Sequence, residues 1–112
     1  MTLITEQVGD VVVVVMPEGT LDASIAQEFK TAVASLVAPG AKIVFDLEPT
    51  RFVDSSGLGA IVSTLRKLHE VRGDVRLCRL NKPVRALFEL VRMHKVFEIF
   101  NTREEAVNSY GL

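Results

Sequence analysis

Phe52-Val53-Asp54-Ser55-Ser56-Gly57-Leu58-Gly59 carries an apolar run through an acid and two hydroxyls into a helical pattern. An aspartate or serine is expected at a helix start, because its side-chain oxygen accepts from the unpaired N–H groups of the first turn. Two glycines in that turn are not expected, since each costs about 1 kcal/mol of helix propensity relative to alanine. Glycine belongs where backbone is approached closely, by an anion or by another protein. The stretch therefore reads as a strand end, a tight junction and a helix start that presents a hydroxyl with little side-chain bulk around it.

Downstream, Leu58, Ile61, Val62, Leu65 and Leu68 form an i, i+3, i+4, i+7 stripe. Gly59, Ser63, Arg66, Lys67 and Glu70 occupy the opposite face. Arg72-Gly73-Asp74 breaks the helix, and the chain returns as a strand over Val75–Leu80. Asn81 then caps a helix with Pro83 near its first position, where the missing N–H does no harm. Its buried stripe is Val84, Leu87, Phe88 and Val91. A last strand is expected over Val96–Phe100, and Thr102-x-x-Glu105 is a capping box opening a short terminal helix.

Upstream, Leu3–Val8 and Val11–Met16 flank Gly9-Asp10, a two-residue hairpin signal. Five consecutive valines suggest a strand covered on both faces. Pro17-Glu18-Gly19-Thr20 reads as a turn, and Asp22 sits at an N-cap. Ile25, Phe29, Ala32 and Leu36 recur at helical spacing up to the Pro39-Gly40 stop. Lys42–Leu47 is a strand ending in Glu48-Pro49-Thr50-Arg51. Helical crossovers imply parallel neighbours. The expected fold is α/β: a small mixed β-sheet, an N-terminal hairpin followed by parallel strands, packed with about four helices.

The 112 residues fit a single domain, 1–112, with 48% apolar and 24% charged residues. The longest apolar run, Val11 to Met16, is too short to span a bilayer, and the N-terminus lacks the pattern of a signal peptide. A lone cysteine, Cys78, lies in an apolar alternation and reads as a core residue. These features place the expected location in the cytoplasm. With 13 basic and 14 acidic residues spread along the chain, no electrostatic footprint for nucleic acid is present. The most basic region, Arg76, Arg79, Lys82 and Arg85, reads as a solvated face.

A nucleophilic serine needs a base within hydrogen-bond reach. His69 lies 14 residues past Ser55 on the same helix, roughly 20 Å away at about 1.5 Å per residue. His94 follows the third helix and reads as a helix C-terminal residue. A small hydrolase built on Ser55 and His94 is the competing expectation. One cysteine and two distant histidines offer no metal-ligand pair. The glycines lack the lysine of a phosphate loop and the third glycine of the dinucleotide fingerprint. No metal or cofactor is expected. The hydroxyl reads as a substrate, not a catalyst.

Gly19-Thr20-Leu21-Asp22, Phe45-Asp46-Leu47 and Phe52 to Gly59 together resemble a STAS domain of the bacterial anti-anti-sigma factor type. Val71-Arg72-Gly73, Val84-Arg85-x-Leu87-Phe88 and Glu104-Glu105-Ala106 continue the pattern over essentially the whole chain. The resemblance implies that a kinase-like anti-sigma factor phosphorylates the first hydroxyl after the aspartate, here Ser55, and that a phosphatase reverses this. Spacing alone does not separate Ser55 from Ser56. The unmodified form would bind the anti-sigma factor and free the sigma factor. Thr20, Asp22, Asp54, Ser56, Gly57, Leu58 and Gly59 would form the partner surface, in a monomer or weak homodimer without nucleic-acid or membrane partners. Other partner switches, in sensory complexes or lipid transport, are the alternative within the family. Two positions depart from its pattern: Thr20 stands where glutamate is frequent, and Arg92-Met93-His94 where the third helix often ends in glycine.

Overall fold

Five short strands form one mixed sheet in the computed structural model, which describes residues 1–111. Strands β1 (Ile4–Val8) and β2 (Val11–Val15) pair antiparallel about a turn in which Gly9 takes φ +61°. Strand β2 then pairs parallel with β4 (Lys42–Asp46), β4 with β6 (Asp74–Cys78), and β6 with β7 (Ile99–Phe100). The order is β1-β2-β4-β6-β7. Helices α1 (Ala23–Ala34), α2 (Ser55–Glu70), α3 (Lys82–Leu90) and α4 (Arg103–Asn108) supply the crossovers and cover.

Covered on both faces, the sheet buries Val11, Val13 and Val14 completely. One face packs Ile43, Phe45, Val75 and Leu77 against Phe29, Ile61, Leu65, Leu68 and Phe88 of the first three helices. Phe29 meets Phe45 edge-on, with ring centroids 5.6 Å apart. The other face packs Val11, Val13, Val44 and Cys78 under Ala106 and Val107 of α4. Removing such side chains from water is the main driving force for the fold.

The mixed sheet and the four helices follow the sequence expectation, with three differences. Gly19–Leu21 is a strand, β3, not part of a turn, and it pairs parallel with β5 (Thr50–Val53) in a separate two-stranded ribbon. Thr50 is fully buried and its hydroxyl donates to the Pro17 carbonyl at 2.6 Å, so the segment after Pro49 is a fixed strand, not a loose end. The last strand is only Ile99–Phe100, because Met93–Lys95 forms a 3-10 turn that delivers Phe97 to the ring of Phe88, 6.0 Å away.

The basic region is also not merely solvated. Arg79 donates to the fully buried Asp46 from Nε (3.0 Å) and Nη2 (2.6 Å), and Arg103 donates from Nε (3.1 Å) and Nη2 (2.7 Å). Burial alone would push the Asp46 carboxyl up; these bonds and the Glu48 N–H outweigh it and hold the carboxyl below its ordinary value. Arg76 lies over the Tyr110 ring, 4.1 Å from its centroid, and donates to Ser109. Through Asp46 the ends of β4 and β6 and the start of α4 become one rigid corner.

Candidate functional site

The parallel pairing of β3 with β5 sets Leu21 beside Val53, so α1 and α2, which follow directly, begin side by side. Each starts with an aspartate cap. Asp22 accepts from the Ser24 N–H at 3.0 Å and from the Ser24 hydroxyl at 2.5 Å. Asp54 accepts from the Gly57 N–H at 2.8 Å through Oδ1 and from the Ala23 N–H at 3.3 Å through Oδ2. One carboxylate thus caps α2 and reaches the first N–H of α1. The Asp54 N–H in turn donates to the Leu21 carbonyl at 3.2 Å.

Ser55 is the first residue of α2, and both it and Ser56 are exposed. Thr20 is exposed on β3, Asp22 and Leu58 are half-buried, and Asp54 and Gly59 are exposed. A methyl group added to Gly59 would meet nothing within 4 Å. Gly57 differs. It is buried, and a methyl group there would collide with the carbonyl and side chain of Leu21. Its bareness lets β3 lie against the first turn of α2. The backbone that approaches Gly57 closely is that of Leu21, in the same chain.

Among the described residues the Ser55 hydroxyl has no hydrogen bond to either histidine. His69 is exposed and pairs with Asp74 at 3.3 Å. The start of α3 is tied to β5 by the Asn81 amide, which donates to the Thr50 and Arg51 carbonyls. His94 lies past the other end of that helix, about 13 Å further on at 1.5 Å per residue. Cys78 is buried, and burial with the nearby Asp46 charge pushes its thiol up to about 12, so it is no nucleophile at neutral pH. No group of three or more His, Cys, Asp or Glu side chains able to hold a metal occurs among the described residues. Among the described residues, no helix is long and apolar enough to cross a membrane.

What the site offers is a hydroxyl on a helix N-terminus, two carboxylates and a stretch of open surface. A family model described as the STAS domain matches residues 2–106. The chain belongs to the STAS domain family. It is 28% identical over 94 residues to BtrV of Bordetella bronchiseptica, named there as a candidate anti-sigma factor antagonist, covering 83% of this chain and 81% of that one. It is 30% identical over 88 residues to the anti-sigma-B factor antagonist of Listeria monocytogenes, covering 78% and 77%. Among solved structures, the anti-sigma factor antagonist SpoIIAA in its unphosphorylated form superposes with a TM-score of 0.80 at 26% identity, over 97% of this STAS chain and 96% of that one. The phosphorylated form of the Bacillus protein superposes with a TM-score of 0.73 at 25% identity, over 97% and 99%.

Sequence reasoning missed two features of this STAS site. The ribbon went unread because its strands have three and four residues, each close behind a proline. The reach of Asp54 to the start of α1 went unread because no local pattern marks a bond spanning 31 residues.

Proposed function

We propose that this STAS domain is an anti-sigma factor antagonist whose binding is switched by phosphorylation of Ser55. The observation that carries the proposal is the exposed Ser55 hydroxyl on the first turn of α2, beside the Asp54 carboxylate and with no histidine partner. Similarity to proteins named as antagonists supports it. The unmodified domain binds an anti-sigma factor of the serine-kinase type through Thr20, Asp22, Asp54, Ser55, Ser56, Leu58 and Gly59, and so frees a sigma factor. Gly57 contributes by seating β3, not by contact. The kinase moves the γ-phosphoryl group of ATP onto the Ser55 oxygen; the hydroxyl proton leaves, and ADP departs with the electrons of the broken P–O bond.

The product carries roughly −1.5 to −2 charges and three bulky acceptor oxygens. The N-terminus of α2 tolerates that charge. Asp54, already accepting two N–H groups, has no cation paired with it among the described residues to soften the repulsion. The cost falls on whatever surface is packed over Gly59. A phosphatase restores the binding form. In this role the domain is a substrate and a ligand, not an enzyme, acting in the cytoplasm. Incubation with the cognate anti-sigma kinase and ATP, then peptide mass mapping, should place one phosphate on Ser55 and none in Ser55→Ala. Phosphate confined to Ser56 or to another residue would overturn the assignment.

A further inference from the structure

A kinase that modifies Ser55 has to bring a phosphoryl group against its oxygen, and in doing so it covers the surrounding surface. Three residues upstream, on β5, stands Phe52, which is 58% exposed. It is the one aromatic among the large exposed apolar residues described. Its neighbour Val53 turns into the core and is 8% exposed. Burial does not alternate along β5: its end residues Thr50 and Val53 are buried, and the two between them, Arg51 and Phe52, are exposed. Thr20, paired directly opposite Phe52 on β3, is exposed as well. The edge-on ring pairs of the fold are Phe29 with Phe45 and Phe88 with Phe97; Phe52 joins neither. An aromatic side chain left in water forgoes a large part of the stabilisation that burial would give it.

We infer that Phe52 is the docking anchor for the Ser55 kinase: its ring enters an apolar recess next to the phosphoryl-transfer cleft, with Thr20 at the rim. The inference rests on the Ser55 reading, and the ribbon supplies what that reading lacks. A hydroxyl flanked by two carboxylates and a bare glycine has little apolar area, whereas a buried aromatic is what typically anchors a protein interface. The ribbon also has a fixed geometry. The β3–β5 pairing, the Thr50 bond to Pro17 and the Asn81 bonds to Thr50 and Arg51 hold Phe52 at a set distance from Ser55. Little ordering is left to be done when the partner arrives.

Steady-state phosphorylation by the anti-sigma kinase with ATP tests this on wild type, Phe52→Ala, Phe52→Tyr and Thr20→Arg, with Ser55→Ala as the blank. Phe52→Ala should raise KM for the domain by about 10–100-fold with little change in kcat, as expected when binding shared by ground and transition states is lost. Phe52→Tyr should stay within a few-fold of wild type. Thr20→Arg, which puts bulk beside the ring, should raise KM without touching Phe52. All three should melt with wild type, since both side chains lie outside the core. Transfer to Ser55 with an unchanged KM in Phe52→Ala would overturn the anchor alone. A lowered melting temperature with a normal KM for the folded fraction would make Phe52 structural and equally overturn it. No transfer to wild-type Ser55 would overturn the Ser55 reading, and the anchor with it.

Discussion

Gly57 and Gly59 are two positions apart and do opposite work. At Gly57 a methyl group has nowhere to go without moving the Leu21 backbone, so Gly57→Ala should destabilise by about 1–3 kcal/mol, as overpacking does. At Gly59 the space is open, and alanine should leave stability unchanged or raise it by up to about 1 kcal/mol. Urea melts of the two variants check both signs; partner affinity should fall in Gly59→Ala and more so in Gly59→Leu. The sequence marked both glycines as places of close approach, but which backbone approaches each is a tertiary fact.

Asp46 gives a second prediction at this scale. Its carboxyl is held low in the folded chain, so its contribution to stability is present above the ordinary aspartate range and is lost as pH falls through its folded value. Stability should be nearly flat above about pH 5 and decline below about pH 4. Asp46→Ala should cost about 3–5 kcal/mol, because two guanidiniums lose a buried partner. Denaturant titrations across that range measure both. Cys78 should resist iodoacetamide at pH 8 until the protein is unfolded, and rapid native labelling would contradict its burial.

Among the elements, α3 ends where a strained residue replaces the usual glycine. Arg92 takes φ +62° directly after the α3 cap Val91, a left-handed conformation that L side chains adopt at a cost of about 1–2 kcal/mol. Arg92 has no ion pair among the described residues, so Arg92→Gly relieves strain without losing one. The variant should gain up to about 1 kcal/mol, and a thermal melt should rise by a few degrees. Arg79 also has a positive φ, +59°, but its side chain holds Asp46, so Arg79→Gly should destabilise. The contrast separates backbone strain from side-chain contact.

The helices were legible because the first three carry apolar stripes of two to four turns and all four carry clear caps, at Asp22, Asp54, Asn81 and Thr102. The main strands were legible from their apolar runs. The ribbon was not: Gly19–Leu21 and Thr50–Val53 are too short for a period to show, and prolines at 17 and 49 signal turns. Val96–Phe100 read as a strand because its pattern fits one, whereas packing of Phe97 on Phe88 bends it into a turn.

At the scale of the molecule, the fold is a device for placing two helix starts together. The mixed sheet and the Asp46 corner fix the ends of β4 and β6, and the ribbon carries the chain from there to Asp22 and Ser55. The residues at the site were legible as a motif because capping chemistry is local. Their assembly with β3 was not, because it depends on strand pairing between distant segments. In the proposed account all of this rigidity serves one event, the appearance of charge at a surface that is otherwise ready to bind. Calorimetric titration of the anti-sigma factor with Ser55→Ala, Ser55→Asp and the Ser55-phosphorylated domain measures that event most directly. The account predicts wild-type affinity for Ser55→Ala, weaker binding for Ser55→Asp and binding weakened at least tenfold by the phosphate; equal affinities across the three would contradict it.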